Sequence, residues 1–131
     1  MAGKACHVVA FATRIGLIRV LALARDIMIT CYVRYIIDPF KLKEFEHYGK
    51  VWIPLVEKFG GKHHGYFLPS EGANNVALAM FTFPSMALYE AYRTKSFEDP
   101  ACQAAFKIAE DTRCIISYER SFFRPVFPPT G

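Results

Sequence analysis

The chemistry this chain can perform rests on a few polar side chains, and the adjacent pair His63 and His64 comes first. An imidazole titrates near neutrality and serves as a base or a metal ligand. Tyr66 follows closely and brings a phenol that donates or accepts a hydrogen bond. If residues 62–68 alternate as a strand, His63 sides with Gly65 and Phe67, and His64 with Tyr66 and Leu68. Only one imidazole then reaches a given pocket, so His64 and His63 are alternative bases, with Tyr66 as donor. Neither has a carboxylate or cysteine at ligand spacing, and no metal centre is expected.

A second set has the character of a binding surface. Tyr32, Arg34, Tyr118 and Arg120 put polar tips on otherwise apolar strands, and Trp52 adds a large flat ring from a helix. A ligand cavity between sheet and helices needs such a lining, but so does a dimer seam. Inward arginines need anions, and Glu119, Glu71 or a bound acid are the choices. His47 has Glu44 at i−3 and Glu46 beside it, but helical geometry leaves it lateral to the apolar stripe. It joins the ligand-binding candidates as an edge residue. The loop at residues 70–75 is polar enough to form a lid, or to be a plain hairpin connection. No GxSxG, HExxH, Walker or GxGxxG string occurs, so hydrolase, metalloprotease and nucleotide-binding classes have no motif behind them, and no cofactor is expected.

The elements that must position these residues are plain in the pattern. From Ile29, β-branched and aromatic residues alternate, with Cys31, Val33 and Tyr35 on one face and Tyr32, Arg34 and Ile36 on the other. Asp38 and Pro39 supply a cap and a first-turn proline for a helix whose stripe runs through Leu42, Phe45, Tyr48 or Gly49, Trp52, Val56 and Phe59. Pro54 inside that pattern predicts a kink or a break. A strand near residues 62–68, an apolar strand at residues 76–83, and two short helices capped by Ser85 and Asp99 follow. The last strand, residues 115–123, puts Ile116, Tyr118, Arg120 and Phe122 on one face. The order β-α-β-β-α-α-β predicts an α+β ferredoxin-like fold, a four-stranded antiparallel sheet with helices on one face. Its other face needs cover, and a second copy packed sheet to sheet is the expected partner.

Composition sets the outer limits. With 131 residues and 53% hydrophobic content, a single well-packed domain is the expectation. The net charge of +4 is concentrated at residues 1–27, where Lys4, Arg14, Arg19 and Arg25 oppose only Asp26. The remainder is nearly neutral, which argues against nucleic acid as a partner. Cys6, Cys31, Cys102 and Cys114 have no paired spacing and are read as reduced thiols in a cytoplasmic setting. Residues 1–27 are read as an extension or a mis-assigned start before Met28. As a cleaved leader they would place the protein in the mitochondrial matrix instead. They are too short and too charged to cross a bilayer, and no integral membrane segment is expected.

Several strings are more specific: Trp-Ile-Pro-Leu-Val at residues 52–56, HHGYFLPSEG at 63–72, the Phe-Pro-Ser turn around Pro84, Tyr-Glu-Arg at 118–120, and F-x-R-P-V at 122–126. Together they resemble the NIPSNAP family over about 100 residues, within a domain at 28–126 followed by a tail at 127–131. The resemblance implies a ferredoxin-like, dimeric α/β-barrel domain, and binding of a small molecule or a protein through its barrel or helix faces is the first expectation for it. It supplies no reaction. The wider superfamily includes cofactor-independent monooxygenases and isomerases, which makes chemistry on an aromatic or quinone-like substrate the alternative expectation, and fold does not choose among them.

Overall fold

The computed structural model describes residues 27–128. The expected extension, apart from Ile27 at its end, lies outside the described residues, as do the last three residues of the tail. Strand β1, Ile29–Ile37, opens the domain. At its end the backbone N–H of Phe40 donates to Asp38 Oδ1 at 2.9 Å, capping a short 3-10 turn, Pro39–Lys41. Helix α1, Leu42–Lys58, follows, then β2, Lys62–Phe67, and β3, Val76–Phe83. Helices α2, Met86–Ser96, and α3, Pro100–Thr112, lead to β4, Ile115–Phe123. The strands form one antiparallel sheet in the order β2-β3-β1-β4. This is the expected ferredoxin-like α+β arrangement.

Local chemistry explains the helix ends. Ser85 Oγ accepts from the Leu88 N–H, and Asp99 Oδ2 accepts from the Cys102 N–H, each satisfying a first-turn donor with no helical partner. Asp99 also receives Lys58 Nζ at 2.8 Å, which ties the end of α1 to the start of α3. Pro54 does not break α1. It lies on the exposed side, so water can take the carbonyl four residues back that loses its donor.

Both faces of the sheet follow from alternation. Toward the helices β1 turns Cys31, Val33, Tyr35 and Ile37, and β3 turns Ala77, Ala79, Phe81 and Phe83. α1 lays Phe45, Tyr48, Trp52, Leu55 and Val56 on this face, and α2 adds Tyr89 and Tyr92. The alanines of β3 leave room for rings, and the core is a mesh of aromatic contacts such as Tyr35–Phe45 and Phe83–Tyr92, both with centroids 5.1 Å apart. On the far face stand Tyr32, Arg34, Ile36, Val76, Leu78 and Met80, all half-buried, with Phe67 and Phe123 exposed.

Strand β2 departs from the predicted alternation. Its register against β3 shifts between His63 and Gly65, a bulge, and Gly65 takes φ +111°, a conformation that favours glycine. The inserted residue flips the order of faces. His63 and Tyr66, expected on opposite sides, share the helix side, and His64 goes to the far face.

Candidate functional site

The helices cover the sheet unevenly. Their packing is heaviest over β2 and β3, while β4 pairs with β1 and is only lightly covered. The gap is a cleft with two lobes. An inner cavity of about 20 Å3, space for one water, is lined by Tyr48, Trp52, Tyr66, Phe81, Tyr92 and Arg120 among others. An outer lobe of about 460 Å3 is bounded by Phe97, Phe106, Glu110, Ile115 and Tyr118. The lobes share Tyr35, Tyr48, Arg93, Phe106 and Arg120, so both arginines line both lobes.

Arg120 is the most informative residue of this cleft. Alternation on β4 turns it to the helix side opposite Val33, where it donates to Tyr89 Oη at 2.9 Å and lies over the Tyr118 ring. It is half-buried and always charged, and among the described residues no carboxylate lies within ion-pair distance of it. Arg93 lies one residue past Tyr92 on α2, its guanidinium over the Phe97 ring. The phenols around them are neutral: burial pushes Tyr35 up to about 12 and raises Tyr48, Tyr66, Tyr89 and Tyr92 as well. Cys31 is also raised by burial and is a thiol, not a thiolate.

His63 sits behind this lining, stacked on Tyr66 at 5.0 Å and tilted on Phe81 at 5.6 Å. Its Nδ1 accepts the Gly65 N–H at 2.9 Å, which leaves the proton of the neutral ring on Nε2. Burial, with His64 adding a little, lowers its pKa to about 4, so the ring is neutral at physiological pH. That Nε2 is buried and has no hydrogen-bond partner, as is Trp52 Nε1. His63 is thus arranged to donate. Accepting a proton would require the Gly65 N–H to release Nδ1.

The candidate residues therefore fall into three places. Trp52, Tyr66, Tyr118 and Arg120 line the cleft, with His63 against its wall. His64, Tyr32 and Arg34 stand on the opposite face: His64 Nε2 bonds Thr82 Oγ1 at 2.7 Å, Tyr32 packs edge-on against Phe123, and Arg34 is 4.0 Å from Glu119. His47 is exposed on the outer side of α1. The loop at residues 70–75 contributes nothing to either lobe. Sequence reasoning passed over Tyr35, Tyr48, Arg93 and Phe106. The signal for Arg93 was present, since Tyr89, Tyr92, Arg93 and Ser96 recur at helical spacing. Among the described residues no group of His, Cys, Asp or Glu could hold a metal ion, and no helix is long and apolar enough to cross a membrane.

Fold and cleft together define a ferredoxin-like α+β domain with an aromatic, arginine-bearing crevice on one side of its sheet. The family model for NIPSNAP matches residues 32–128, and the chain belongs to the NIPSNAP family. A NIPSNAP family protein with unknown function from Agrobacterium tumefaciens superposes with a TM-score of 0.67 at 19% identity, covering 79% of this chain and 94% of that one. Another from the same organism gives 0.63 at 24% identity, covering 76% and 86%. A Nitrosomonas europaea protein, provisionally named an antibiotic biosynthesis monooxygenase, gives 0.61 at 10% identity, covering 79% and 94%. These likenesses are of fold. No curated protein matches.

Proposed function

We propose that this chain is the protomer of a homodimer that binds a small molecule in the cleft between sheet and helices. The observation that carries the reading is Arg120: a half-buried cation with no carboxylate partner among the described residues, lining both lobes of an aromatic cleft open on one side. Its one printed hydrogen bond, to Tyr89 Oη, leaves guanidinium donors free for an anionic group, and pairing with an anion offsets the cost of half-burying the charge. The second copy is supported by the far face, where Phe67 and Phe123 are 47% and 54% exposed beside half-buried Tyr32, Leu78 and Met80. Exposed rings on a sheet face that no helix covers are a reason to expect a partner there. The buried, unpaired thiols Cys31, Cys102 and Cys114 suit a reducing compartment, the cytoplasm, or the mitochondrial matrix if residues 1–27 act as a leader.

Two experiments test this. An aromatic fragment library screened against the full chain should shift the indole N–H resonance of Trp52, the one tryptophan, and a screen without a hit overturns the ligand reading. Light scattering at micromolar concentration should give twice the protomer mass, and a monomer mass overturns the second copy.

A second reading is favoured by one arrangement: the bulge brings His63 and Tyr66 to the same side as Arg120. That side offers donors to a developing oxyanion, as needed for cofactor-independent oxygenation or isomerisation of an aromatic or quinone-like substrate. Turnover of a dihydroxynaphthoquinol under oxygen is the expected result, and an unchanged spectrum removes this reading while leaving the binding one.

A further inference from the structure

Hydrogen-bonding groups around the cleft are unbalanced toward donors. The guanidiniums of Arg93 and Arg120 line both lobes, and both can only donate. Trp52, 5% exposed, lines the inner lobe, and its Nε1–H has no acceptor. Behind the wall, His63 holds a second buried N–H without a partner. A buried N–H left unpaired loses the free energy of its water contacts. The phenol oxygens can accept but carry no charge, and among the described residues the only carboxylate along the lining is Glu110, in the outer lobe.

We infer that the ligand is a planar aromatic monocarboxylate, its carboxylate between Arg93 and Arg120 and its rings among Tyr35, Tyr48 and Phe106. The inference rests on the proposed ligand-binding cleft and names the class of molecule that fills it. Charge selects a monoanion, because two arginines against one Glu110 leave a single positive charge along the outer lobe. Shape selects flat rings. The outer lobe takes Tyr35 from β1, Tyr48 from α1, Phe97 just past α2, Phe106 from α3 and Tyr118 from β4, and offset or edge contacts with these rings favour an aromatic ligand over an aliphatic one. Size agrees as well: the inner cavity holds no more than a water, so the ligand body lies in the outer lobe with its anionic end at the arginines that line both. Arginine, with its planar fork, is the side chain suited to a carboxylate in this position.

The test compares naphthoate with its neutral counterpart, naphthylmethanol, on the isotope-labelled full chain, following the Trp52 indole N–H. Naphthoate is expected to shift that resonance and to bind at least about tenfold more tightly than the alcohol, which corresponds to about 1.4 kcal/mol. In Arg120→Gln the preference should fall to about twofold or less, and in Arg93→Gln to an intermediate value. Should Arg120→Gln fail to fold, Arg93→Gln on the half-exposed helix position and the wild-type comparison still decide. If acid and alcohol bind equally, or the preference survives both substitutions, the carboxylate assignment is overturned while the cleft stands. If neither compound binds at millimolar concentration, the cleft itself is lost as a ligand site, and the assignment falls with it.

Discussion

The two faces of the sheet are made by the same strands and have opposite characters. On the helix side, rings close over the strands until only the strip beside β4 is left, and that strip holds Arg120 and Arg93. On the far side the residues are mixed: a polar relay of Thr30, Thr82 and His64, each link 2.7 Å long, sits among Tyr32, Leu78, Met80 and Phe123. One face encloses and the other presents. Alternation sends every second residue to a different face, so the two surfaces change independently unless a bulge crosses them over.

Substitution on each side should make the contrast measurable. The largest effect belongs to Phe45, fully buried against Tyr35 and Tyr66. Phe45→Ala should lose about 3–5 kcal/mol in denaturant unfolding, whereas Phe123→Ala on the far face should lose under about 1 kcal/mol of protomer stability and act instead on assembly mass. Equal losses would erase the distinction. Next is Gly49 on α1, where an added Cβ would stand 2.9 Å from the Tyr66 ring. The helix gains up to about 1 kcal/mol from alanine, but displacing a packed ring costs about 1–3 kcal/mol. Gly49→Ala should therefore destabilise by about 1 kcal/mol and weaken ligand binding, and a stabilised variant would show that Tyr66 is not fixed by α1.

Burial lowers the pKa of both histidines, so both faces contribute to acid sensitivity, and His63 carries the large shift. His63 has a folded pKa near 4, below its ordinary value of 6.5, so the unfolded chain binds the proton first. Stability is then intact above about pH 6.5 and falls as pH drops toward 4. Solvent screening at a half-exposed ring holds the loss to about 1–2 kcal/mol. His63→Gln should flatten that slope in thermal melts between pH 7 and about 4, and an unchanged slope would place the sensitivity elsewhere. The smallest effect is expected at the Arg34–Glu119 pair, 4.0 Å apart and well exposed. Glu119→Gln should change stability by less than about 0.5 kcal/mol.

Much of this arrangement is legible in the sequence. The fold was legible because caps, stripes and alternation largely agree: Asp99 accepts from the α3 donor expected of it, and Cys31, Val33 and Tyr35 face inward as alternation requires. Asp38 instead caps the 3-10 turn before α1, and α1 itself starts at Leu42 without a side-chain cap. The site was legible in part. Arg120 and Tyr118 fall on the cleft side by alternation, and Trp52 by helical spacing. The histidines were not, because one inserted residue before Gly65 reverses the faces of β2, and nothing in the string KHHGYF marks which side the extra residue joins. Arg93 escaped because the stripe of α2 is carried by Tyr89 and Tyr92, while Leu88, the more apolar residue, is exposed.

The division of labour between the faces is tested most directly by mapping backbone amide shifts in the labelled full chain as any cleft-binding aromatic fragment is added, whatever its charge. The account predicts that changes centre on Tyr66, Arg93, Phe106 and Arg120, while Thr30, Arg34, Leu78 and Glu119 stay in place. Changes centred on that second group would mean that the ligand face and the partner face have been assigned the wrong way round.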